Sequence, residues 1–138
     1  LYYTSSEFRQ FIDKRNPVEF SPLSIPDAEN ITNCETVPAR NFSSSKNVAA
    51  GQVYTELKNF LAENSGCKRI IACYSEGSRE RIASLLNEYG CTNITLAETW
   101  QESQCKAENK IVLTLMPLAH GFKSKEYILI SEHSQDIP

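Results

Sequence analysis

Residues 75–81 read Ser-Glu-Gly-Ser-Arg-Glu-Arg, directly after the apolar run Ile70, Ile71, Ala72, Cys73. A buried strand, a polar turn and a helix start, in that order, aim free backbone N–H groups and a helix dipole beyond the strand's end. Ser75, Gly77, Ser78 and Arg79 could cradle a phosphate there. Neither phosphate-loop pattern is present: there is no GxxxxGK followed by Ser or Thr, and no GxGxxG. Glu76 beside the turn would repel a phosphate. The plainer reading makes Ser78 the N-cap of a helix, with Arg81 at its N3 position and Glu80 favoured in the first turn.

Nucleophilic chemistry has weaker support. Cys73 lies in an apolar run and reads as a small buried hydrophobe. A pairing of Cys73 with His120 or His133 is conceivable, but two isolated histidines are more often structural or solvated. Ser75 imitates a nucleophile turn but lacks the glycine of GxSxG ahead of it. The carboxylates Glu76, Glu98, Glu102, Glu126 and Glu132 are scattered, without acid–base or metal-ligand spacing. Trp100, the only tryptophan, is read as a packing anchor rather than an exposed contact.

The elements that must position these residues follow from periodicity. Residues 1–3 could form a short strand. Thr4 and Glu7 make a capping-box pair, and Phe8, Phe11 and Ile12 follow at helical spacing, so residues 5–14 are a helix. Residues 17–20 are a brief extended run. Residues 21–46 are rich in Ser, Pro, Asn and Thr, with a possible strand at 31–37. Val53, Leu57, Phe60 and Leu61 mark a helix face closed by Asn64-Ser65-Gly66. Residues 69–74 are a strand covered on both faces. Residues 78–89 are a helix with Ile82, Leu85, Leu86 and Tyr89 inward, ended by Gly90. Strands follow at 93–96, 110–115 and 126–131, with a polar, weakly helical stretch at 98–108. Strands alternating with helices predict βαβ crossovers. The expected fold is α/β: a mainly parallel, Rossmann-like sheet flanked by helices, with a small N-terminal helix and a long connector. The expected division is residues 1–46, an N-terminal element and connector, and residues 47–138, a compact module. Ligands of such sheets bind beyond the strands' carboxyl ends, so residues 74–79, 97–100 and 116–123 are expected to gather there.

Bulk composition narrows the classes. A chain of 138 residues with 41% hydrophobic content can bury a real core. Its net charge of −3 lacks the overall basic excess of a free-standing nucleic-acid binder, though a local patch is compatible with it. Five cysteines, an odd number without CxxC spacing, argue against a zinc site and a complete disulfide framework, and for a reducing compartment. The sequons at Asn30, Asn41 and Asn93 read as chance, because no secretory cue accompanies them. No apolar run approaches the roughly 18 residues that span a bilayer. The chain begins without Met, inside an apolar run, and stops just after a strand. Both ends look cut, as in a piece of a longer polypeptide.

Several segments together resemble a known family. They are Leu1-Tyr2-Tyr3, Val18-Glu19-Phe20-Ser21-Pro22, Ala39-Arg40-Asn41-Phe42, residues 71–81, Leu118-Ala119-His120-Gly121-Phe122, and Tyr127-Ile128-Leu129-Ile130-Ser131-Glu132. Their order and spacing resemble the D3 region of the bacterial transcription-repair coupling factor, Mfd, across nearly the whole chain. The SEGSRER turn, the HGF turn and the LISE strand carry most of it. The chain departs from the family pattern at residues 43–46 and after Glu132. In that family the region lies between a UvrB-like module, which contacts UvrA, and the domain that binds RNA polymerase.

The resemblance implies a non-catalytic, interdomain role with no catalytic residue, cofactor or metal in this segment. ATP and Mg would belong to the parent's translocase domains. The parent would be a cytoplasmic bacterial DNA translocase. It would bind double-stranded DNA, release stalled RNA polymerase at lesions and recruit UvrA for excision repair, with no membrane partner. The residues expected to touch neighbouring domains are Glu76, Ser78, Arg79, Arg81, His120 and Lys123. The alternatives are a small nucleotide- or phosphate-binding module and, behind it, a Cys73- or Ser75-based hydrolase.

Overall fold

A polar N-cap and a glycine set the boundaries of the helix that follows the central strand. The structure, a computed structural model, describes residues 2–21, 31–40, 42 and 50–132. Leu1, the stretch 22–30, Asn41 with its sequon, the departure at 43–46, the expected boundary between 46 and 47, and His133 with the rest of 133–138 lie outside the described residues. By its internal contacts the chain forms two units, Leu1–Asn33 and Cys34–Pro138.

The first unit carries α1 (Ser5–Asp13). The expected capping box is present: Glu7 N donates to Thr4 Oγ1 at 3.4 Å, and Thr4 N donates to Glu7 Oε2 at 2.9 Å. No residue of α1 is buried, so Phe8 and Phe11 stay exposed. Tyr3 stacks on Phe11 and Arg15 lies over the same ring. The expected strand at 1–3 and the extended run at 17–20 form no element among the described residues.

The second unit holds β1 (Val37–Pro38), α2 (Ala50–Glu63), β2 (Lys68–Cys73), α3 (Glu76–Glu88), β3 (Ile94–Ala97), α4 (Trp100–Lys106), β4 (Ile111–Leu115), β5 (Phe122–Lys123) and β6 (Tyr127–Ser131). The sheet order is β1-β5-β6-β2-β4-β3. β2 pairs in parallel with β4 and β6, and β4 with β3. β5 and β1 join antiparallel at the β6 side.

The α/β class holds, but the sheet is mixed, which corrects the mainly parallel, Rossmann-like expectation. The reason is local. A parallel strand beyond β6 needs another long crossover. The chain has instead a short β5 and a three-residue link, closed by Ser124 N donating to Tyr127 O at 2.8 Å, that folds straight back onto β6. The expected strand at 31–37 shrinks to β1.

Period-2 alternation splits the sheet's side chains between two cores. Ile71 and Cys73 of β2, Ile111 and Leu113 of β4, and Ile128 and Ile130 of β6 face α2 and α3, where Val53, Leu57, Leu61, Ile82 and Leu86 meet them. Ile70, Val112 and Leu129 face the other way, with Ala97 and Ala107, under Trp100, Met116, Leu118, Phe122 and Tyr127. Trp100 packs on Tyr127 with ring centres 5.7 Å apart, as the anchoring reading expects. Gly90 ends α3 with φ +85°, a left-handed conformation that suits glycine. Among the described residues no helix is long and apolar enough to cross a membrane.

Candidate functional site at the carboxyl edge of the sheet

The turn after β2 is built by serines. Ser75, not Ser78, is the N-cap of α3: Ser78 N donates to Ser75 Oγ at 3.2 Å. Ser78 sits at N3 and its Oγ accepts from Ser75 N at 3.2 Å, closing a capping box made of two serines. The helix therefore starts at Glu76, two residues before the expected position. Two serines spaced by three residues satisfy each other, which a single cap at Ser78 would not.

The edge beyond β2 is occupied by a carboxylate of the chain itself. Glu132, just past β6, accepts from Tyr74 N at 2.8 Å and from Ser78 Oγ at 2.7 Å, both at Oε2. β2 and β6 are parallel neighbours, so the last turn of one delivers its acid to the first turn of α3 on the other. The helix dipole favours a negative charge at that point. Any external phosphate at this turn would meet Glu132 and exposed Glu76.

Arg79 is turned inward, at 6% exposure. Its Nη1 donates to Ala97 O at 3.0 Å and to Glu98 Oε1 at 2.8 Å, while its Nε has no partner. It thus fastens α3 to the carboxyl end of β3. Glu98 N in turn donates to Glu102 Oε2 at 2.8 Å, and Glu102 pairs with Lys106. Those bonds hold the Glu102 carboxyl below the usual carboxylate range, with the Lys106 bond the largest cause. Met116 N donates to Cys73 O at 3.0 Å, and Ser131 Oγ donates to Leu118 O. Residues 74–79 and 97–100 meet as expected, and 116–118 joins them.

The six candidate contact residues do not form one cluster. Glu76 and Arg81 are exposed on the first turns of α3, Ser78 is half-buried, and Arg79 is buried. Arg81's charge is felt at buried Tyr54, whose pKa is raised by burial and pulled back by Arg81. His120 is exposed in the turn before β5. That turn lies toward the carboxyl end of β6, because Phe122 pairs with Leu129. Lys123 pairs further down, at Ile128, and its Nζ donates to Asn64 Oδ1 at 2.8 Å. It belongs with the end of α2, away from the turn.

Cys73 is fully buried. Its thiol is pushed up to about 12, chiefly by burial, with Glu132 adding to the rise and Arg79 opposing it. A thiol held neutral and out of reach of substrate is a poor nucleophile. Ser75 Oγ is committed to the cap. Among the described residues no three His, Cys, Asp or Glu side chains converge as a metal site. The residue that sequence reasoning passed over is Glu132, counted there as one scattered acid. The signal available was its place immediately after the last parallel strand, where acids meet neighbouring helix starts.

A family model described as MFD, D3 domain, matches residues 60–134. The Transcription-repair-coupling factor of Rickettsia conorii (strain ATCC VR-613 / Malish 7) is 27% identical over 131 residues, which is 95% of this chain and 11% of that protein. No solved structure matches. The chain thus spans a small part of the curated relative's length. The matched residues run from the end of α2 through β6 and include the Ser75–Ser78 cap, Arg79 and Glu132, so the geometry described above lies within the matched segment, and the chain belongs to the MFD D3 domain family.

Proposed function

We propose that this chain is a non-catalytic, interdomain part of a transcription-repair coupling factor. In this reading ATP and Mg are bound by translocase domains elsewhere in the parent protein. So are DNA translocation, release of stalled RNA polymerase and recruitment of UvrA placed elsewhere, and the parent works in the bacterial cytoplasm. The observation that carries the reading is the closed carboxyl edge. Its donors are spent on the chain's own groups: Tyr74 N and Ser78 Oγ on Glu132, and Arg79 on Ala97 and Glu98. Glu76, Arg81 and His120 are exposed, and such charged and polar side chains suit a contact with another domain.

The test uses the full-length coupling factor. Glu76→Lys, Arg81→Glu and His120→Ala alter exposed groups and should leave the fold intact. Combined, they should change restraint of the ATPase or the rate of polymerase release. If both activities match the unaltered protein, these residues make no working contact. Calorimetric titration of the chain with ATP, GTP and sulfate at the carboxyl edge should show no heat that Glu132→Gln alters. Micromolar nucleotide binding there would favour the phosphate-binding alternative instead.

A further inference from the structure

The opposite end of the sheet carries two cations that pair with no carboxylate among the described residues. On the α2/α3 face, where β2 and β4 begin, a cleft of about 130 Å³ opens between α2 and the 90–93 loop. Arg69 and Lys58 line it, with Gly90, Thr92 and Asn93 at the loop side and the apolar Ala62, Cys91 and Ile111 between, and no Asp or Glu among the described residues lines it. Arg69 alternates in register with Ile71 and Cys73, so it points to the helices from within an apolar strand. It is only 7% exposed. Its Nη1 donates to Leu61 O at 3.1 Å, a carbonyl in the last turn of α2, while its Nε has no partner.

Lys58 approaches from α2. Its Nζ lies 3.1 Å from where a Cβ on Gly90 would sit. Neither cation pairs with a carboxylate among the described residues. Both charges reach one point: Lys58 and Arg69 each pull down the thiol of Cys91, which burial pushes up. Two like charges at one cleft, one of them nearly buried, are unfavourable unless an anion answers them. A guanidinium and an ammonium lining one cleft are also the groups that suit a tetrahedral oxyanion.

We propose that this cleft binds a small oxyanion of the phosphate class, held by Arg69 and Lys58 against the 90–93 loop. The site stands apart from the carboxyl edge, so it is independent of the interdomain reading. The phosphate could be free or part of a nucleic-acid backbone, and the two sources share the same chemistry.

The experiment titrates the 138-residue chain with sodium phosphate at ionic strength matched by chloride, following amide resonances. Thr92 and Asn93 should shift saturably, and sulfate should compete. Lys58→Ala should weaken phosphate binding by about tenfold, the loss of one charge-assisted contact, without lowering the unfolding midpoint in chloride. Arg69→Lys, which keeps charge but loses the fork, should also weaken it. Should Arg69→Lys fail to fold, Lys58→Ala decides the matter. Linear shifts equal to those in chloride, or unaltered binding in Lys58→Ala, would overturn the proposal. A short DNA duplex added as competitor names the source. Displacement that is lost in Lys58→Ala indicates a phosphodiester, and no displacement indicates a free phosphate.

Discussion

Glu132 joins the end of β6 to the turn after β2 through a single carboxylate oxygen. Its partners, Tyr74 N and Ser78 Oγ, lie 58 and 54 residues away in sequence. Removing the acid leaves both donors to water at a partly exposed edge. Glu132→Ala should therefore cost about 1–2 kcal/mol, below the full worth of two charged hydrogen bonds. Glu132→Gln keeps an acceptor and should cost less than half of that. Urea unfolding measures both, and an alanine variant as stable as the parent would show that the contact carries no energy. The neighbouring thiol gives a prediction in pH. Cys73 has its pKa raised from an ordinary 9.0 to about 12 in the fold. Below pH 9 it is neutral folded and unfolded alike, and its contribution is fully present. Above that, the unfolded chain loses the proton while the folded one keeps it, so stability falls with rising pH, by at most about 1.4 kcal/mol per unit. Cys73→Ala should flatten the loss seen by urea unfolding between about pH 9 and 11; an unchanged slope would remove Cys73 from the account. Cys73's burial was legible from its apolar run. Glu132's role was not, because no local spacing links residues that far apart. The cap was half legible: either serine fits an N-cap, and only the reciprocal bonds choose Ser75.

Glycines separate the elements that tolerate change from those that do not. A Cβ on Gly121 would lie 2.3 Å from Leu129 O and 2.9 Å from Ala39 Cβ. Here β5 presses on β6 while Ala39 N donates to Gly121 O at 3.1 Å, so three segments meet with no room for a methyl. Gly121→Ala must part them and should cost about 3 kcal/mol, at the upper end of overpacking. Hydrogen exchange should locate the damage at Ala39, Phe122 and Lys123, leaving the β2–β4 pairing protected. Uniform loss of protection would refute a local clash. Gly77 is the internal control: nothing lies within 4 Å of its Cβ position, and it occupies the first turn of α3. Gly77→Ala should be neutral or stabilise by up to about 1 kcal/mol. Helices and parallel strands were legible because each carries its own period over a sufficient length. β2 reads as buried from Ile70, Ile71 and Ala72, and α2 from Val53, Leu57 and Leu61. β1 and β5 were not, since two-residue strands such as Val37–Pro38 have no period of their own and exist only through their pairing.

At the scale of the whole chain the question is where the self-sufficient part begins. Composition places the change near residue 46, where a polar connector gives way to periodic helices. The chain's internal contacts divide it between Asn33 and Cys34. Phe42 is 3% exposed and meets Phe60 edge-on, with ring centres 5.4 Å apart. Val37 and Pro38 extend the sheet through β5, and Arg40 reaches Glu56 at 3.3 Å. All of these belong to the unit Cys34–Pro138 and precede residue 47. A Ser- and Pro-rich context masks such contributions, because one ring can anchor a loop without any surrounding pattern. Two truncations separate the possibilities. Residues 34–138 alone should unfold in one cooperative step, followed by the fluorescence of Trp100, which sits in the second core of that unit. Residues 47–138 should be less stable than residues 34–138 by about 3 kcal/mol, the scale of losing a buried phenylalanine ring. The surface pair Arg40–Glu56 should add little to that difference. Restoring Phe42 without β1, in residues 40–138, should recover most of it if the ring dominates. Little recovery would assign the difference to the antiparallel edge. Equal stability of the 34–138 and 47–138 chains would place the working boundary at residue 46 and leave Phe42 a bystander.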